Sequence, residues 1–322
     1  GIWILDDLTP LQQFTDDVAS SALHLFDPKN AYRLRPVSSV MQFFREPSFG
    51  DDPPEGTSLH YWQKEAMDEP VELVITDEAG NTVRTIEHEG EVGINRVWWD
   101  FKEDPTTELV LRTRPRYADW FPMKDDGTRE SLIEPLSLMV SPGTYTVTLK
   151  AGDTAQSQSF EVLKDPNSAG TLADIRAQKA LLDRIRADFE AISLAINEAE
   201  KLRRQLRDLM PMVSEEVRKE LKALDDIITG VENRMLQLKH TGKGQDAIRL
   251  PGMLMEKLAY LAATVAIADF APADQYVAVY EKLKADWAEV QQAWEQVKAE
   301  DVAAVRQMMR EQEIGPLIVG AD

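Results

Sequence analysis

The hydrophobic period of this chain changes once, at Asp165 and Pro166, and that change decides what the chain can fold into. Before it, Val71, Leu73 and Ile75 alternate with their neighbours, and so do Tyr145, Val147 and Leu149. A period of two belongs to strands with one buried face. After it, Ile175, Leu182, Phe189 and Ile196 recur every seven residues, with Ile185, Ile192 and Leu206 beside them. Val217, Leu221, Leu224, Ile228, Val231, Met235 and Leu238 then follow at intervals of four and three. Those intervals line one side of a helix. The expected fold class is therefore α+β and multidomain, an immunoglobulin-like β-sandwich followed by an antiparallel four-helix bundle.

Turn residues place the strands. Residues 77–80 (DEAG), with Gly80 able to take a positive φ, separate two strands, and 89–93, 141–143 and 152–153 separate the rest. Short strands at this spacing predict a sandwich over 57–166, opened by 57–63 (TSLHYWQ) and interrupted by an insertion at 102–140. Trp98 and Trp99 fall on opposite faces, so one belongs in the core. Residues 1–56 form an arm, with a short helix expected at 11–18 and extended chain at 30–36. The bundle is expected over 167–322. Thr171 and Asp174 spell a capping box, Pro211 interrupts the first helix, and Ser214 caps the second. A third helix carries Leu254, Leu258, Leu261, Val265 and Ala268, and Pro272 suits the first turn of a fourth, which bears Tyr276, Tyr280, Leu283, Trp287, Val290, Trp294 and Val297.

Charge and composition exclude several functions. The 322-residue chain carries a formal charge of -20, which repels nucleic-acid phosphates and anionic lipid head groups. It has no cysteine, which removes disulfides, thiol catalysis and thiolate metal sites. No apolar run reaches the roughly 18–20 residues of a membrane span. The start, GIWILDDL, lacks both Met and a basic leader region, and reads as a fragment or processed product.

Catalytic constellations are not expected. The pairs Asp6 and Asp7, Asp16 and Asp17, and Asp51 and Asp52 lack the donor spacing of a calcium loop and read as turn and capping residues. Glu198, Glu200, Glu215, Glu216 and Glu232 invite comparison with di-iron bundles, but no Glu-x-x-His accompanies them. His24, His60, His88 and His240 are scattered and support no triad. No metal or cofactor is therefore expected. The best candidate binding residues are Arg112, Arg114, Arg116, Tyr117, Trp120 and Phe121 in the insertion. Arginines interleaved with aromatics suit carbohydrate stacking or a protein contact. The competing reading is that Trp120 and Phe121 close the end of the sandwich while the arginines offset carboxylates.

The order VELVITDEAGNTVRTI (71–86), GINRVWWDF (93–101) and PGTYTVTL (142–149) resembles the Ig-like module of flagellar hook-capping proteins. More closely, it resembles the C-terminal region of bacterial secreted proteins with a sortilin-type or BNR-type β-propeller, often labelled glycosyl-hydrolase-like; 1–12 and 22–34 are similar to the segments leading into that module. The resemblance implies that residues 1–5 complete a propeller blade, and that the partner is a β-propeller, in cis or as a separate chain. It also implies a secreted or periplasmic location and a non-catalytic role, bracing the propeller or binding a protein or glycan. The alternative is an accessory part of a glycoside hydrolase or sialidase-like enzyme whose catalytic residues lie in a propeller outside this sequence. A third reading, an adaptor that recruits helices, expects an exposed apolar stripe on the last two helices and a docking segment at 314–319.

Overall fold

The computed structural model describes residues 7–35, 54–315, 317, 319 and 320, and its architecture is α+β. By contact the chain divides into two units. The first comprises Gly1–Asp104, Ser137–Lys179 and Ala268–Ala271, and the second Pro105–Leu136, Ala180–Ile267 and Pro272–Asp322. Residues 1–5, Asp6, and the pair Asp51 and Asp52 lie outside the described residues, so the orphan strand expected at the start does too.

The first unit opens with two five-residue helices, α1 (Thr9–Gln13) and α2 (Asp16–Ser20), where a single helix over 11–18 was expected. Phe14 and Thr15 part them because Thr15 is extended and takes the N–H of Val18 on its hydroxyl. Asp16 and Asp17 occupy the first turn of α2, and Asp7 accepts from the Thr9 N–H and Lys29. Among the described residues eight strands follow: β1 (Leu23–Leu25), β2 (Ala31–Arg33), β3 (Thr57–Gln63), β4 (Val71–Thr76), β5 (Thr82–His88), β6 (Gly93–Trp99), β7 (Gly143–Ala151) and β8 (Thr154–Lys164). They form a three-stranded sheet, β1-β3-β6, and a five-stranded sheet, β2-β8-β7-β4-β5, in which only β2 and β8 run parallel. The five-stranded sheet curls into a half-barrel.

Alternation places the core between the sheets. Leu59, Tyr61, Val97 and Trp99 from one sheet and Leu73, Ile75, Val147 and Leu149 from the other are all buried in a single cluster. Trp99 is the inward tryptophan, edge-on to Phe101, Tyr145 and Phe160, and Trp98 faces out. Its indole N–H is buried with it and donates to the Lys102 carbonyl at 2.9 Å. The expected turn forms at Gly80, whose φ is 83°, while Asp77 collects the N–H groups of Ala79 and Asn81.

The arm is less separate than its composition suggests, because it supplies one strand to each sheet. β1 lies beside β3, and its outer backbone is closed by Gln156, which accepts from the Leu25 N–H and donates to the Leu23 carbonyl. β2 lies beside β8 and brings Arg33 into the interior, where it donates to Asp269 and to the Val140 carbonyl, both at 2.6 Å. Arg35 also donates to Asp269. Gly170 makes room for this segment: a Cβ there would stand 1.5 Å from the Asp269 carbonyl oxygen. Burial pushes the Asp269 carboxyl up, but hydrogen bonds from Arg33 and Arg35 outweigh it and hold the group below its ordinary value.

In the second unit the helices are α3 (Leu172–Leu209, from residue 180 on), α4 (Glu215–Met235), α5 (Asp246–Arg249), α6 (Leu254–Val265), α7 (Asp274–Val297) and α8 (Ala303–Glu311). The Thr171 and Asp174 capping box forms at the head of α3, and Ser214 caps α4. Pro272 sits just ahead of the Ala273 N-cap of α7, not inside its first turn. α7 runs into α8 through a π-helical turn, Lys298–Val302. The buried residues there are Val290, Trp294, Val297, Val302, Val305 and Met309, so the seam takes one step of five at the π turn. A turn with i→i+5 bonds absorbs that extra residue.

One test follows for the first unit. Asp269→Asn takes the carboxylate from the buried Arg33 guanidinium, and the expected loss is about 3 kcal/mol in urea unfolding at neutral pH. Because the folded-state value lies below the ordinary 3.8, the contribution is present above that value and fades as pH falls through the folded one. The wild-type and variant curves should therefore converge in acid.

Candidate functional site

The segment 105–136 interrupts the strand order of the first unit, yet it belongs to the second. Leu109, Leu111 and Thr113 are buried while Val110 and Arg112 are half-buried, an alternation typical of a strand. Its only ladder contact among the described residues is the isolated bridge between Leu111 and Arg129. Buried backbone groups still need partners. Side chains from one face of α3 supply them. Glu190 takes the Thr107 N–H and hydroxyl at 2.7 and 2.6 Å. Asn197 takes the Val110 N–H and donates to the Glu108 carbonyl, each at 2.8 Å. Glu200 takes the Arg112 N–H at 2.6 Å and the Thr113 hydroxyl at 2.8 Å. Intervals of seven and three keep these three side chains on one side of the helix.

Behind Glu200 lies a buried charge cluster. Arg203 donates to Glu232 at 2.6 Å and to Asp225 at 3.0 Å, and stands 3.6 Å from Glu200. Glu200 and Glu232 are both fully buried. The sequence reading ran the α4 seam through Val231, but Glu232 takes that inward place and Val231 is only half-buried. So two of the acids compared with di-iron ligands do meet inside the unit, and the cation between them is a guanidinium. Burial, and then the Glu200 charge, push the Glu232 carboxyl well above its ordinary 4.5 against the pull of Arg203. Its Oε1 atom has no hydrogen-bond partner among the described residues, so this carboxyl is buried with one oxygen unsatisfied.

On this base stand the candidate residues. The Ala118 N–H donates to Pro115 O and the Phe121 N–H to Ala118 O, making two successive turns. The Arg116 N–H reaches the Leu238 carbonyl at 2.7 Å and joins them to the loop after α4. Arg114 donates to Phe121 O, and Arg112 to Val110 O. Phe121 is half-buried under Arg129. Tyr117 and Trp120 point outward, 75% and 62% exposed, so neither is a core residue. The Arg116 guanidinium lies 5.1 Å and the Lys239 ammonium 5.4 Å from the Tyr117 ring centre; Lys243 lies 5.4 Å from that of Trp120. Sequence reasoning missed Lys239 and Lys243, two lysines in a glycine-containing loop far along the chain.

Tyr117 has a φ of 67°. It is the third residue of the turn that begins at Pro115, where a positive φ is ordinarily left to glycine. A bulky side chain in that conformation costs about 1–2 kcal/mol.

Elsewhere in the second unit, Trp287 and Trp294 floor a hollow of about 220 Å³ with Glu198 and Lys298 at its rim. An apolar groove of about 400 Å³ runs between α6 and α7 past Tyr260, Tyr276 and Val279. Of the docking segment at 314–319, Leu317 is buried, with its carbonyl accepting from Arg306, and Ile318 lies outside the described residues. Among the described residues, no helix is long and apolar enough to cross a membrane, and no group of three or more His, Asp or Glu is placed to hold a metal ion.

Comparison of the chain with protein-family models, with curated proteins and with solved structures found no match.

Two measurements probe the anchor. A folded-state carboxyl raised above its unfolded value contributes stability that is complete below 4.5 and is lost as pH climbs toward the raised value. Unfolding free energies from urea titrations should thus fall with rising pH by up to about 1.4 kcal/mol per pH unit, and Glu232→Gln should flatten that slope. Glu200→Ala removes the carboxylate that accepts the half-buried Arg112 N–H, at a cost of about 1–3 kcal/mol. Hydrogen exchange at that amide should rise about ten- to a hundredfold while the α6 amides keep their protection.

Proposed function

We propose that this chain is a non-catalytic structural and interaction module, and that Tyr117 and Trp120 form the platform on which it holds a glycan. The observation that carries the proposal is the backbone at Tyr117. An exposed aromatic side chain adds little to a core, and glycine would suit a φ of 67° better, so its presence there is explained by what it touches from outside. Trp120 adds a second exposed ring three residues on, and flat rings of this kind suit the C–H face of a sugar. A dry protein interface fits less well, because Lys239 and Lys243 lie against the rings and lysine is depleted from interface cores.

The finer fold reading belongs to the same proposal. The β unit is taken as a variant of the immunoglobulin-like sandwich. Trp99 sits in its core, and Tyr145 donates its hydroxyl to the Ser141 carbonyl four residues upstream at 2.7 Å, a contact similar to a tyrosine corner. The curled sheet and the parallel pair of β2 and β8 depart from that pattern. α3, α4, α6 and α7 are taken as a four-helix bundle, each burying one apolar seam. The resemblance to secreted propeller proteins supports a site outside the cytoplasm and a β-propeller as neighbour. The platform also favours one variant of this role, an accessory part that presents glycan to a hydrolase centre carried elsewhere.

Tyr117→Gly and Trp120→Ala are the test, read on a glycan array and by thermal melting. Tyr117→Gly is expected to lose glycan binding while gaining about 1 kcal/mol in stability. Trp120→Ala should weaken binding without moving the melting temperature. Equal failure of wild type and Trp120→Ala to bind any glycan would remove the platform reading. Turnover of nitrophenyl glycosides by the purified chain would remove the non-catalytic one.

A further inference from the structure

Arg114, Arg116, Lys239 and Lys243 raise a question the stacking platform leaves open, because this chain carries 56 acidic residues against 36 basic ones. In such a chain, clustered cations would be expected to take carboxylate partners, and none of these four has one among the described residues. Three of them lie against aromatic rings: Arg116 and Lys239 at Tyr117, and Lys243 at Trp120. The fourth, Arg114, donates to the Phe121 carbonyl. A ring or a carbonyl holds a cation in place without neutralising it. The nearby acids are engaged otherwise. Asp246 takes the Thr241 N–H and hydroxyl, and Glu256 takes the Gln237 N–H and faces His240 at 3.7 Å. Within 112–121 and 238–243, Asp119 is the single carboxylate, against Arg112, Arg114, Arg116, Lys239 and Lys243.

We infer that the Tyr117 and Trp120 platform selects glycans bearing carboxylates, its ring-held cations receiving the uronate groups of a sugar stacked on Trp120. This rests on the glycan-binding reading above and adds the charge of the ligand to it. Stacking alone discriminates poorly between an acidic sugar and its neutral counterpart. Positive charge that is held but not neutralised does discriminate, and its effect is local, since the repulsion from the rest of an acidic surface is screened within about 8 Å at physiological ionic strength. An acidic peptide shares the charge, but it lacks the flat C–H face that stacks on Trp120.

Isothermal titration of the whole chain with galacturonan and alginate hexamers, with cellohexaose and maltohexaose, and with hexaglutamate separates the alternatives. Wild type is expected to bind at least one uronate hexamer about tenfold or more tighter than either neutral hexamer, with the margin shrinking between about 50 and 500 mM NaCl. The triple variant Arg116→Gln, Lys239→Gln, Lys243→Gln should lose that margin and keep any neutral binding, whereas Trp120→Ala should lose both. Melting temperatures confirm that the variants fold, which their exposed positions favour. Equal affinity for acidic and neutral hexamers would overturn the inference and leave the platform standing. Tighter binding of hexaglutamate than of either uronate would overturn it in favour of a peptide. If no sugar binds at all, the platform reading falls, and this inference with it.

Discussion

The outer face of the second unit depends on one carboxylate. Glu200 accepts the Arg112 N–H and the Thr113 hydroxyl while lying against Arg203, so it ties an extended segment to a helix and to a buried charge cluster at once. An extended segment outside a sheet has no ladder to satisfy its backbone. Here Glu190, Asn197 and Glu200 stand in for the missing strand. The arrangement also fixes register: a slip of one residue would turn Leu109, Leu111 and Thr113 outward and strand the acceptors on α3. The charge cluster behind it is weak as a source of net stability, since desolvation offsets much of the attraction between buried charges. What it supplies is position.

That position matters because the turns at 115–121 contribute little packing of their own. Pro115 and Ala118 are buried, while Arg114, Arg116, Tyr117, Asp119 and Trp120 are exposed. The segment is held by backbone hydrogen bonds at its base and by the contact of Arg116 with Leu238, and its side chains remain available. A binding surface built this way is rigid in its backbone and open in its side chains. That limits the conformational entropy lost when a ligand settles on it.

Much of the fold was legible in the sequence because periodicity reports burial directly. The alternation in β4 and β7, the glycine turn at Gly80, and the caps at Thr171 and Ser214 all follow from local chemistry. The parts that were not legible depend on distant partners. β1 and β2 have three residues each, too few for any period, and exist because a longer strand stands beside them. Glu232 replaces an apolar residue in the α4 seam, which is tolerable because Arg203 is waiting inside. The site was half legible. Arg112 to Phe121 stand out as a cluster along the chain, whereas Lys239 and Lys243 join it through a single backbone contact more than a hundred residues away.

The π turn at Lys298–Val302 gives the last long helix a property that a regular helix lacks. In an unbroken α-helix, losing one residue rotates everything downstream by roughly 100° and carries its apolar face off the seam. Here the seam already contains one residue too many, between Val297 and Val302. Shortening that interval by one restores a step of four and lets α8 keep Val305 and Met309 on the same side. Length variation within this helix is therefore tolerated at one place, whose first residue, Lys298, is pinned by its pairing to Glu198 and Glu295. The turn acts as an expansion joint, a point where the chain can shed a residue without re-registering its core.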